Sequence, residues 1–408
     1  MNRSARSKPA RRDDRADGGI EVLELDAPVT AAPPSDQGAR RGGRWLALFG
    51  LAVAITLGLS VLPDPAPLPI AAEDTLPTPG VATTIPSRET VVVGIVGDDT
   101  FPIQFESSLA GFRSLAGPAH INGAWWMIGN AAQSLILASG DGIEWESNGN
   151  FPVEDGRFVE ISDLIVTDGA LVAAGQEGTL SESGGLVESL RVWRSADGDT
   201  WIPEQVAKGS AFFKTRVVAN GHNLVVTTTD ESAEDHLFHS SWFTQWEEIP
   251  ITFSTGNGIV MAPEGGFLLS TGQGAALTSA YGGHWSRNQA IERGFYSQWE
   301  DRVVGTYTRS GRPTMSVLGA DERLVVRLPD EFEGCRIEGG LTGLLAICAN
   351  QSPWGYDLYL SKDGLVWAKS ELALLTDSFK YEGFTDQGFL VSIAGRSGEL
   401  VVARVNLP

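Results

Sequence analysis

A seven-residue motif returns along the chain and limits the folds open to it more than any other feature. SGDGIEW (139–145), SADGDTW (195–201) and SKDGLVW (361–367) all fit SxDGxxW. SSWFTQW (240–246) keeps the Ser and Trp in the same frame, and SAYGGHW (279–285) keeps Ser, Gly and Trp. The repeated positions are thus Ser139, Asp141 and Trp145, Ser195, Asp197 and Trp201, and Ser361, Asp363 and Trp367, with Trp246 and Trp285 in the degraded copies. An Asp-Gly pair supplies the positive φ that a tight turn between antiparallel strands demands, and the carboxylate can accept bonds from nearby backbone N–H groups. The Trp then opens the returning strand and buries its ring beneath the turn. These aspartates therefore read as structural rather than catalytic.

The spacing counts the units. Motif tryptophans are 56, 45 and 39 residues apart, and the step from Trp285 to Trp367 is 82, two units of 41. A second ladder, expected as a Gly-marked turn followed by an apolar strand in each unit, has strands that begin at Trp125, Leu171, Leu224, Phe267, Val303, Leu344 and Phe389. Seven units follow, the fifth without its Trp. Gly is 48 of 408 residues, about 12% against a usual ~7%, as a turn-rich chain requires. Four short strands per unit, repeated seven times, predict an all-β fold, a seven-bladed β-propeller over 88–408. The chain ends one strand short in its last unit, and ETVVVGIV (89–96) is expected to complete that blade and close the ring.

SxDGxxW resembles the Asp-box, or BNR, repeat of sialidases and sortilin-type receptors, although those usually read SxDxGxTW with one more residue. The resemblance covers most of 101–372 and implies a propeller with the motif between the third and fourth strands of each blade and a ligand site on the opposite face. The sialidase catalytic pattern does not carry over: FRSLAG (112–117) offers Arg113 but no Ile-Pro, and no other part can be matched residue by residue.

The N-terminal part has a different composition. Residues 1–44 hold nine Lys/Arg and seven Asp/Glu and read as a disordered cytoplasmic tail. Residues 45–62, WLALFGLAVAITLGLSVL, are uncharged and just long enough to cross a bilayer. Arg40, Arg41 and Arg44 precede them, so the positive-inside rule places the N-terminus in the cytoplasm and the rest outside. A cleaved signal peptide is the rival reading. Residues 63–87 carry seven prolines and read as an extended linker. The expectation is a single-pass cell-membrane protein with an extracytoplasmic propeller, the membrane being a partner through 45–62. Arg outnumbers Lys 24 to 6, in keeping with a GC-rich bacterial source.

Residues 63–408 carry 21 basic and 44 acidic groups, which excludes a nucleic-acid binder. Loops opposite the motif differ between units, as binding loops on a repeated scaffold do. They nominate Glu177, Asp235, Trp354 and Tyr356, the last two as an aromatic platform, and Arg309 with Arg312 as an anion contact. His236 and His239 form an HxxH, but that spacing on a strand sends the rings to opposite faces, so no metal and no cofactor is expected. Cys335 and Cys348 fall opposite each other about a turn centred between Leu341 and Thr342, which suits a cross-strand disulfide outside the cytoplasm, two buried thiols being the alternative. No GxSxG, HExxH, P-loop or GxGxxG occurs. The functional reading is a binding or scaffolding module for a protein or glycan, with a tethered carbohydrate-active, sialidase-like hydrolase as the alternative.

Overall fold

The structure is a computed structural model. It describes residues 89–406 apart from 155, 181–185, 210, 242, 244, 256–257, 272–274, 289–290, 292–293, 320–321, 352–353, 372–378 and 395–399. The tail, the 45–62 segment and the linker expected above lie outside the described residues. No helix among the described residues is long and apolar enough to cross a membrane.

Seven sheets follow one another along the chain as the blades of a propeller. Blade 1 spans 114–150, blade 2 157–208, blade 3 212–248, blade 4 259–287, blade 5 295–327, blade 6 336–370 and blade 7 379–405. First strands of successive blades lie side by side around the axis, the last against the first, so the ring closes. Second strands are buried on both faces, which is why Leu171, Val172, Ala173 and Ala174 form a continuous apolar run rather than an alternating one. Each interface between blades has its own core cluster. Blades 5 and 6, for example, enclose Met315, Val326, Leu344 and Trp367, and blades 7 and 1 enclose Leu390, Val402, Trp125 and Trp145.

Closure differs from the sequence expectation. Three N-terminal strands, β1 (Glu89–Val93), β2 (Ile95–Phe101) and β3 (Ile103–Phe105), visit three different blades. β1 adds a fifth strand to blade 5, parallel to Arg323–Arg327, and β2 does the same to blade 6, parallel to Val366–Ser370. β3 alone completes blade 7, antiparallel to Leu400–Val405. The 89–96 segment thus extends two blades at their outer edges, and the closing strand is the three-residue IQF that follows. Arg404, 2% exposed, locks the seam: its guanidinium pairs with Glu106 at 2.9 Å and donates to the Gly142 carbonyl of blade 1 at 3.1 Å.

The motif turns join third and fourth strands. In blade 2, Ser195 Oγ donates to Asp197 at 3.0 Å and accepts from the Gly198 N–H at 2.8 Å. Asp197 accepts the N–H groups of Asp199 and Thr200, and Trp201 Nε1 donates back to the Gly198 carbonyl at 2.9 Å. Blade 6 repeats every one of these bonds through Ser361, Asp363, Gly364 and Trp367. In blade 1, Asp141 accepts from Ser139 and the N–H groups of Ile143 and Glu144. Gly198 has φ +82°, and a Cβ there would lie 2.3 Å from the Trp126 ring of blade 1, so the turn also sets how closely two blades approach.

Candidate functional site

The rim opposite the motif turns carries the residues nominated from sequence. Glu177 lies within the second strand of blade 2 (Ala170–Leu180), 6% exposed, clasped by Arg157 at 2.6 Å and Arg191 at 2.7 Å. Asp235 opens the third strand of blade 3 (Asp235–Ser241) and accepts from Thr229 Oγ1 at 2.6 Å and the Thr255 N–H at 2.7 Å. Burial opposes its charge, but these bonds and one from Ser254 hold the carboxyl below the usual carboxylate range. Tyr356 packs on Phe379 across to blade 7, ring centroids 5.0 Å apart, and joins the core there. Trp354 begins the third strand of blade 6 opposite Gln351. Glu177, Asp235 and Tyr356 are therefore engaged in holding strands and blades together.

Arg309 and Arg312 are arranged differently. They face each other across the hairpin of blade 5, between strands Arg302–Arg309 and Arg312–Leu318. Arg327 joins them, because the register pairs it with Thr314, two residues from Arg312 on the same face. Val91 and Val325 complete that face, and the seven residues Val91, Arg309, Ser310, Arg312, Thr314, Val325 and Arg327 line a cavity of about 300 Å³. Neither Arg312 nor Arg327 forms an ion pair among the described residues. A second hollow of about 440 Å³ shares Arg312 and Arg327 and continues over Val93 and Ile95 to Asp330 and Glu331.

The far end of the same strand is packed. Leu318 of the same strand face is buried against blade 4 with Val260 and Leu268. Arg312 stands six residues away, about 20 Å along a strand at ~3.3 Å per residue. Among the described residues, the strands of blade 4 are two to four residues long, about 13 Å at most.

A second charged layer lies at the axis. Arg336 and Glu338, on the first strand of blade 6, form an ion pair, and Arg216 of blade 3 acts on the same carboxylate. Burial pushes the Glu338 carboxyl up against the pull of Arg336 and Arg216. Tyr381 of blade 7, its hydroxyl donating to the Gly339 carbonyl at 3.2 Å, is driven far upward by burial. Lys380 donates to Glu382 at 2.7 Å and to the Leu115 carbonyl of blade 1 at 3.0 Å. These contacts span blades and brace the ring.

His236 meets Glu248 at 2.8 Å and Asp230 at 3.5 Å, while the ring of His239 is held below its ordinary value chiefly by burial. No group of three or more His, Cys, Asp or Glu able to hold a metal occurs among the described residues. Cys335 and Cys348 are joined in a disulfide, Cα atoms 4.2 Å apart, one position beyond the Arg336 to Ile347 pair of the blade 6 ladder. Arg113 lies before blade 1 and donates to the Ala131 carbonyl.

No protein-family profile matches the sequence, and no curated protein matches it. Solved structures resemble the fold. YCF48 bound to D1 peptide aligns over 77% of this chain and 100% of its own at 10% identity and TM-score 0.44. The BP39L lectin from Burkholderia pseudomallei aligns over 74% and 96% at 12% identity and TM-score 0.45. Trypanosoma rangeli sialidase in complex with sialic acid aligns over 76% and 58% at 13% identity and TM-score 0.38. Similarity at this level extends to architecture only.

Sequence reasoning missed Arg327, Val91 and the axial layer. Arg327 is 15 residues from Arg312, and Val91 more than 200 away, so only strand register brings them together. The axial layer left one signal: Arg336 and Glu338 alternate on a strand, which puts two charges on one face of an otherwise apolar and glycine-rich segment.

Proposed function

We propose that this chain is a membrane-tethered, extracytoplasmic β-propeller that works as a binding module and holds an anionic partner at the outer edge of blade 5. The observation that carries the reading is the cavity lined by Arg309, Arg312 and Arg327, with no carboxylate among its lining residues. A guanidinium cluster of this kind suits holding a carboxylate, sulfate or phosphate group and has no general acid or base with which to cleave it. Glu177 and Asp235, the acids a hydrolase would need at the rim, are spent on Arg157, Arg191 and the Thr229 hydroxyl. The Cys335–Cys348 disulfide supports an oxidising compartment. The uncharged 45–62 segment with its preceding arginines supports an anchor with the N-terminus inside. The Ser, Asp, Gly and Trp bonds of blades 2 and 6 support kinship with Asp-box propellers.

Reporter fusions at each end of the full chain test the placement: a cytoplasmic N-terminus with an extracytoplasmic C-terminus is expected, and the reverse overturns it. Crosslinking capture from envelope extracts, alongside a glycan array with acidic glycans, tests the binding role. Capture of an acidic partner that Arg312→Ser weakens is expected. Release of a sugar product by the wild-type chain would overturn the reading in favour of a hydrolase.

A further inference from the structure

The same edge of the propeller combines three features that meet nowhere else among the described residues. The first is exposed apolar surface on the added strands: Val91 is 50% exposed, Val93 68% and Ile95 55%. The second is the pair Arg312 and Arg327, which lines both hollows beside those residues. The third is the entry of the chain. β1 begins at Glu89, so the linker reaches the propeller at this edge, four residues and about 13 Å from Val93.

Val91 and Val93 point away from the core because Val92, between them, is the residue that packs into the interface of blades 5 and 6. An outermost strand on a closed ring has no later strand to cover it, and a bare apolar edge is ordinarily blunted by charge or covered. β1 itself carries no Lys, Arg or Asp, and its one acid, Glu89, stands at the far end from Val93. The apolar ridge flanked by two guanidinium groups has the composition of a surface that enters the interfacial layer of an anionic bilayer.

We propose that the outer edge of blades 5 and 6 docks on the anionic headgroup surface of the membrane into which residues 45–62 insert, Val91, Val93 and Ile95 reaching into the interfacial layer and Arg312 and Arg327 meeting lipid phosphates. The proposal rests on the tethering reading above and names the anionic partner of that site. The strongly acidic body does not forbid the contact. The screening length at physiological salt is about 8 Å, so acids on the far blades do not act at the docked edge, whereas the arginines touch it. Asp330 and Glu331 at the rim of the second hollow, Glu89 on the same strand face as Val91, and the exposed Asp98 and Asp99 further along β2 oppose the contact locally and keep it weak. Weak is sufficient, since a chain anchored through 45–62 stays at the membrane and does not have to find it from bulk solution. Docking this edge lays the propeller on its side, with its axis along the membrane and the rim and motif faces both open to other partners.

The test uses the full chain in nanodiscs of phosphatidylcholine alone or mixed with phosphatidylglycerol, read by hydrogen exchange. Exchange in 89–96 and 312–327 is expected to slow several-fold in the anionic discs and to return to the neutral-disc rate in about 0.5 M salt, where screening shortens to a few Å. The motif turn at 195–201 serves as the internal reference and stays unchanged. R312E with R327E is expected to abolish the difference; the salt arm gives the same answer without a mutation if that variant folds poorly. Equal exchange in both lipids overturns the docking while leaving the anchor intact. Protection that follows protein concentration in either lipid overturns it in favour of pairing between two copies along β1. A chain that fails to enter discs at all refutes the anchor, a separate failure.

Discussion

Blades 2 and 3 carry the same seven-residue frame between their third and fourth strands, but only blade 2 keeps all four of its chemical positions. In blade 2 the serine hydroxyl, the aspartate, the glycine carbonyl and the indole N–H form a closed set of bonds. In blade 3 the aspartate and glycine are gone. Ser240 Oγ is buried without a partner there, and Trp246 Nε1 turns to Glu204 of blade 2 at 3.4 Å. Phe243 occupies positive φ in the turn and lies under the Arg194 guanidinium at 5.0 Å. Blade 4 is intermediate: with Tyr281 in place of the aspartate it still has the Ser279 and Trp285 bonds to Gly282. In blades 2, 4 and 6 serine, glycine and tryptophan therefore bond as one unit, and the aspartate of blades 2 and 6 adds a separate tie to the backbone N–H groups that follow. In blade 1 the aspartate tie is kept while Trp145 Nε1 has no partner and the Gly142 carbonyl accepts from Arg404. Blade 3 holds its turn through neighbours instead.

The largest effect that would break this comparison is loss of the ring itself. Trp201, 7% exposed, packs on Phe151 at 5.0 Å in the interface of blades 1 and 2. Trp201→Ala is expected to cost roughly 3–5 kcal/mol by opening a cavity. Trp246 is only half-buried at the edge of its cluster, and Trp246→Ala should cost about 1–2 kcal/mol. Equal losses in urea melts would show that the degraded turn anchors its blade as firmly as the complete one.

The serines sharpen the comparison at smaller scale. Ser195 both donates and accepts within the turn, so Ser195→Ala leaves the Gly198 N–H without its acceptor and should cost about 1–2 kcal/mol. Ser240 gains nothing from its hydroxyl, and Ser240→Ala should be neutral or slightly stabilising. A cost at Ser240 matching that at Ser195 would mean that the hydroxyl has a bonding role in blade 3 after all.

The same contrast explains how much could be read from sequence. Turn chemistry and apolar runs are local, so three intact motifs and the ladder from Trp125 to Phe389 marked the blades. Pairing between distant segments is not local. ETVVVGIV has the composition of a strand but nothing in it names a partner, and it became the outer edge of blades 5 and 6. IQF, which does close blade 7, is too short to show a pattern. Loop position likewise said little about Glu177, because the second and third strands of blade 2 run on through what reads as loop and bring Arg157 and Arg191 to it. Arg309 and Arg312 were legible as a hairpin pair; the third arginine was not, since register supplied it.

The smallest expected effect concerns the aspartate alone. Asp197 is held below its ordinary value of 3.8, first by the Thr200 N–H and then by that of Asp199, and Asp141 likewise by Ile143 and Glu144. A carboxyl whose folded value is lowered binds its proton more readily in the unfolded chain. Its contribution is therefore complete above the unfolded value and disappears as pH falls through the folded one. Urea melts between pH 5 and pH 2.5 should show wild type above Asp197→Asn at the upper end and the two curves converging with acid. Asn keeps the shape and one acceptor oxygen, so the gap isolates the charge. Blade 3 offers no aspartate at this position, and its turn should add nothing to the acid slope. Parallel curves across the range would show that Asp197 acts through the shape of its turn and not through its charge.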